Sequence, residues 1–116
     1  MATAEILVDT DVLVDHLRGA RRMTAELGMA VSVVTRCELF AGTDEPERLR
    51  RFLRPMVQLP VDAVIAELAG ATRRHTGVAT PDALIAATAL VHRLPLMTRN
   101  RRHFDRIDGL RLVVPA

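Results

Sequence analysis

The stretch EILVDTDVLVDHLRG, residues 5–19, decides the fold. Its first part, EILVD, is a short apolar run that ends in an acid, the pattern of a buried strand. From Val12 the spacing changes. Val12, Leu13, His16 and Leu17 fall close to one helical face, and Gly19 stops the run. A buried strand passing directly into a helix opens an α/β unit. Asp11 is placed to cap that helix, whereas Asp9 ends the strand with no obvious capping duty.

The alternation recurs outward from this stretch. MAVSVV (29–34) is a second β-branched run, after which Thr35 opens a short helix, TRCELFAG, ended by Gly42. DEPERLRRFLRPM (44–56) is amphipathic, with Leu49, Phe52 and Leu53 on one stripe and arginines on the other. VQLP (57–60) reads as a brief strand. VDAVIAELAGATRRHTG (61–77) reads as a helix with Val64, Ile65, Leu68 and Ala71 inward. A second helix starts around Thr80 and runs to about Arg93. LPLMT (94–98) and LRLVV (110–114) are the last strands, separated by a short turn of helix opened by Asn100. Short, continuous, apolar strands between helices predict a mostly parallel sheet covered on both faces. With 116 residues and no repeat, low-complexity segment or linker, residues 1–116 are expected to form a single domain.

Composition narrows the function. Apolar residues make up 49% of the chain, which excludes disorder. The longest nearly apolar run, residues 83–91, is too short to cross a bilayer. No basic segment precedes the first apolar run, so no signal peptide is expected. Cys37 is the single cysteine, expected as a small buried residue, and a reducing cytoplasmic setting fits. All sixteen basic residues are arginine, which excludes any mechanism that needs a catalytic lysine. The net charge of +2 is by itself weak evidence for nucleic acid, although arginine forks well onto phosphate.

Polar residues gather where parallel α/β sheets bind ligands, at the carboxyl ends of the strands. Asp9 and Asp11 follow the first strand, Thr35 and Glu38 the second, and Thr98 and Asn100 the fourth. Asp82 opens the helix that leads into the fourth. Taken singly, most have a stronger explanation as caps. TRCE has the form of a capping box, Thr80 precedes Pro81 and Asp82 in a helix-starting pattern, and Asn100 is an ordinary N-cap. Taken together, three carboxylates at one sheet edge repel one another, and at least one is forced neutral unless a cation joins them. Hard oxygen donors without cysteine or histidine favour Mg²⁺, with Mn²⁺ as a substitute. Arg99, Arg101, Arg102 and Arg106 beside Asn100 would suit a phosphodiester backbone, or would form a solvated charged turn. His92 and His103 read as surface or helix-end residues, with RNA contact a lesser reading of His103, and three phenylalanines are too few for a base-stacking platform.

The blocks ILVDTDVLVDHLRG, VSVVTRCELFAG, PDALIAATAL and LPLMTRNRRHF occur in the order and spacing of PIN-domain ribonucleases. They most resemble the VapC toxins of bacterial toxin–antitoxin pairs. The resemblance implies a three-layer α/β/α domain with a central, mostly parallel sheet of four to five strands. It also implies Mg²⁺-dependent endoribonuclease activity on RNA, a homodimer and a VapB-type antitoxin. The family's acids fall on Asp9, Glu38 and Asp82, and a fourth position falls on Asn100. On this reading Asp9 and Asp82 hold the metal most directly, and Glu38 acts through water or a second metal. Asn100 then positions water or metal ligands. Thr10 and Thr98 match small hydroxyl positions beside the site, and Asp105 is a weaker substitute for the fourth acid. Position 11 carries Asp where the family more often has Asn or Ser.

Two rival readings stand beside this one. The DxD of residues 9–11 also resembles aspartate-nucleophile phosphatases of the haloacid dehalogenase type, with Asp9 phosphorylated and Asp11 as acid/base. That chemistry normally uses a later lysine, which this chain lacks. The other rival is an inactive PIN-like module that binds RNA or protein; the presence of Asp9, Glu38 and Asp82 together argues against it.

Overall fold

The computed structural model describes residues 3–21 and 28–115. Five parallel strands, β1 (Ile6–Val8), β2 (Met29–Ser32), β3 (Val57–Leu59), β4 (Leu96–Met97) and β5 (Leu112–Val113), form one sheet in the order β3-β2-β1-β4-β5. The chain moves outward from β1 through β2 to β3, then returns to the other side of β1 for β4. Ile6 registers with Met29 on one side of β1, and Val8 with Met97 on the other. The gap between β1 and β4 is therefore the topological switch point, where such sheets bind ligands.

Successive residues of β1 face opposite ways, and each face has its own core. Leu7 packs with Ala30, Leu59 and Leu96 beneath α5 (Thr80–Val91) and Phe104. Val8 packs with Met29 and Val31 against Val12 and Leu13 of α1 (Thr10–Leu17), Leu39 of α2 (Val33–Phe40) and Leu49 and Leu53 of α3 (Pro46–Leu53). Outside α5 lies α4 (Ala63–Thr76), whose Ile65 and Ala69 meet Ala83 and Ala87. That double covering explains why α5 is apolar almost all round: one side faces the sheet and the other faces α4. The three-layer α/β/α arrangement agrees with the expectation.

Several local expectations are corrected. α1 begins at Thr10, two residues earlier than the apolar spacing suggests, so Asp9 is its N-cap and Asp11 lies inside the first turn. α2 begins at Val33, with the Ser32 hydroxyl accepting from the Val34 N–H at 3.0 Å. Thr35 is thus inside the helix and buried, and TRCE is no capping box. The β-branched VSVV pattern cannot by itself separate the last strand residues from the first helical turn. Ala79, not Thr80, is the N-cap of α5, with Pro81 and Asp82 in its first turn. Asn100 precedes a 3₁₀ turn, Arg101–His103, without capping it through its side chain. On α4 the buried stripe runs through Ile65 and Ala69, while Val64 points outward at 59% exposure. Cys37 is exposed, on the outer side of α2. No described helix is long and apolar enough to cross a membrane.

Candidate active site

Asp9 leaves β1 at the switch point and is 5% exposed. Its N–H donates to Met97 O at 2.9 Å, continuing the β1–β4 ladder. Its carboxylate accepts from the Thr10 N–H at 2.8 Å through Oδ1 and from the Thr98 hydroxyl at 2.9 Å through Oδ2. Burial pushes the Asp9 carboxyl up to about 7, and the charge of Asp11 pushes the same way. The bonds from Thr98 and Thr10 oppose the rise, and the charge of Asp82 adds to it. Repulsion between acids was the expected cause; desolvation is the larger one.

Asp11 lies one helical step beyond. Its Oδ2 accepts from the Arg99 N–H at 3.2 Å, but its Oδ1 is buried with no hydrogen-bond partner among the described residues. Burying an acceptor without a partner costs roughly 1–3 kcal/mol, so this atom marks a place where a cation or water belongs. Asp82, in the first turn of α5, has its carboxyl raised by burial first and by the charge of Asp11. His103 opposes that rise, with Nδ1 2.9 Å from Asp82 Oδ2.

Glu38 reaches the site differently. Its Oε1 accepts from the Thr10 hydroxyl at 2.7 Å, and the same hydroxyl is 3.0 Å from Thr35 Oγ1. A hydroxyl has one proton to give, and a carboxylate can only accept. The Thr10 proton therefore goes to Glu38, and the Thr35 hydroxyl supplies its own proton to Thr10. Thr10 thus links Asp9 through its backbone and Glu38 through its side chain.

Thr98 is fully buried, accepts from the Asn100 N–H at 3.0 Å and donates to Asp9. The Asn100 side chain turns to His103, with Nδ2 3.2 Å from Nε2. The Arg99 guanidinium turns inward, to Asp15 Oδ2 at 3.2 Å. Arg101, Arg102 and Asp105 are exposed and make no hydrogen bond or ion pair with the acids among the described residues.

Asp9, Asp11 and Asp82 sense one another's charges, and Glu38 joins through Thr10. As the side chains lie, no three His, Cys, Asp or Glu among the described residues stand close enough to hold one ion. Glu38 is drawn to Thr10 and Asp82 to His103. The donor set nonetheless fits a hard divalent cation. It consists of carboxylate oxygens, one of them buried and orphaned, in a desolvated place where negative charge is uncompensated.

Sequence reasoning missed two contributors. Thr35 reads in the sequence as a cap, because a threonine three before a glutamate imitates a capping box. His103 is exposed, as its sequence reading has it, but it also reaches Asp82, which that reading does not contain. Its signal was the three-residue spacing from Asn100, since side chains at i and i+3 of a 3₁₀ turn eclipse.

A parallel sheet with acids at its switch point, backed by helices on both faces, is the architecture of a PIN-like nuclease. The chain belongs to the PIN domain family, which matches residues 6–110. It is 40% identical to Ribonuclease VapC19 of Mycobacterium tuberculosis over 119 residues, covering 90% of this chain and 95% of the relative. It is 39% identical to Ribonuclease VapC10 of the same organism over 120 residues, covering 91% and 90%. Among solved structures it is similar to a toxin–antitoxin complex from Klebsiella pneumoniae, with TM-score 0.82 and 33% identity over 97% of this chain and 98% of that one.

Proposed function

We propose that this chain is a metal-dependent endoribonuclease of the VapC kind, acting in the cytoplasm as one domain and as a homodimer, and silenced by a VapB-type antitoxin. The observation that carries the reading is the desolvated group of Asp9, Asp11 and Asp82 at the switch point, with one carboxylate oxygen left unpartnered. The names of the relatives support RNA as the substrate, and the toxin–antitoxin neighbour supports a protein inhibitor.

Asp9 and Asp82 would hold Mg²⁺, or Mn²⁺ in its place, with Asp11 Oδ1 facing the same region and Glu38 reaching it after release from Thr10. When bound, such an ion activates the attacking water and offsets the charge of the phosphate under attack. The residues of the chain supply the rest. Thr98 and the Thr10 N–H fix the plane of the Asp9 carboxylate. Thr10 and Thr35 hold Glu38 ready beside it. Arg101 and Arg102, free on the rim, meet the RNA backbone, while Arg99 keeps Asp15 and Asp11 in place.

The test is cleavage of RNA by the purified protein with Mg²⁺, with and without chelator. Wild type cuts and chelator stops it; Asp9→Asn and Asp82→Asn each fold and lose at least a hundredfold in rate. An Asp9→Asn protein that cuts as fast as wild type overturns the site. Co-expression with an antitoxin encoded beside the gene should abolish cleavage and any growth arrest.

A further inference from the structure

We infer that His103 is a positioning residue: its Nδ1–H holds the Asp82 carboxylate in place for the metal, and Asn100 sets the imidazole that does so. This rests on the metal-dependent reading above. An amide nitrogen can only donate, so the Nε2 that lies 3.2 Å from Asn100 Nδ2 is an acceptor. The ring hydrogen is then on Nδ1, 2.9 Å from Asp82 Oδ2. Reversing the amide leaves that conclusion intact, because a bare nitrogen at such a distance would repel the carboxylate oxygen. Asp82 Oδ1 stays open to a cation, while Oδ2 is tied down.

The turn that carries His103 is itself anchored at both ends. Phe104, 1% exposed, is sunk in the core with Ile85 and Ala86 of α5. The Asn100 N–H bonds Thr98 Oγ1, and Thr98 bonds Asp9. One short turn therefore orients Asp9 through Thr98 and Asp82 through His103. It holds two carboxylates, separated by most of the chain, in mutual register. Hydrogen bonds of this kind from outside the ligand set commonly change metal affinity 10–100-fold when lost.

The experiment measures Mn²⁺ binding by the electron paramagnetic resonance signal of the free ion, on wild type, Asp82→Asn, His103→Ala and His103→Asn. Circular dichroism checks each fold. Asparagine keeps an N–H near the position of Nδ1. The expected result is that Asp82→Asn loses tight binding, His103→Ala weakens it about tenfold or more, and His103→Asn stays within about threefold of wild type. Unchanged or tighter binding by His103→Ala overturns the inference. So does a His103→Asn protein as weak as His103→Ala, which would make the imidazole a direct ligand. Absent binding by wild type, or equal binding by Asp82→Asn, overturns the metal-dependent reading itself, and this inference with it.

Discussion

Asp9 is costly to the folded protein at neutral pH. Its carboxyl titrates near 7 when folded against an ordinary 3.8, so between those values the folded state holds a proton that the unfolded state has released. The stabilising contribution is full below 3.8 and is lost as pH rises through about 7. Thermal melts in chelator should therefore show wild type losing stability from pH 4 to 7 more steeply than Asp9→Asn. Adding Mg²⁺ or Mn²⁺ at pH 7.5 should raise the wild-type midpoint and leave that of Asp9→Asn nearly unmoved. Equal slopes in the two proteins would count against the desolvated carboxylate. The position of Asp9 was legible in the sequence because it closes an apolar run. Its capping role was not, since apolar spacing marks Val12 as the first inward residue of a helix that starts at Thr10.

At the scale of elements, the helix starts carry the sharpest tests. Ser32 caps α2, so Ser32→Ala should cost about 1 kcal/mol by denaturant melt. Thr35→Ala should cost about as much for a different reason, the lost hydrogen bond to Thr10. Only Thr35→Ala should also slow cleavage, because Thr10 then loses the hydroxyl that orients it and Glu38 is no longer held ready beside Asp9. On α3, Glu45 accepts from the N–H groups of Glu47 and Arg48, and those bonds, the one to Glu47 foremost, hold its carboxyl below the ordinary 4.5. That stabilisation is full above 4.5 and disappears as pH falls through the lowered value, so Glu45→Gln should flatten the acid limb of the stability curve. Gly77 ends α4 with φ +73° and open space around it, so Gly77→Ala should cost about 1 kcal/mol through backbone strain alone. Such glycine stops, with the alternating apolar runs, made the element order readable. The exact starts were not readable where serine, threonine and β-branched residues satisfy strand and helix equally well.

Across the whole molecule, alternation predicted a parallel sheet but not which strand lies beside which. Hydrophobic spacing contains no information on neighbours. The rule that such sheets bind ligands at their strand ends already gathered the distant acids at one edge, and the resemblance of four separate blocks to one family singled out Asp9, Glu38 and Asp82 among them. The β1–β4 pairing puts Asp9 and Thr98 in contact, and α5 delivers Asp82 to the same rim. The spacing of His103 from Asn100 is present in LPLMTRNRRHF, but its reach to Asp82 depends on a turn whose ends are pinned by Phe104 and Thr98. The hydrogen bond between Asp9 and Thr98 spans 89 positions. During synthesis Asp9 is made 89 residues before Thr98, so the first acid waits for the hydroxyl that fixes it. This corner of the molecule is therefore set only once β4 has docked on β1, and whatever loosens that docking releases the Asp9 carboxylate.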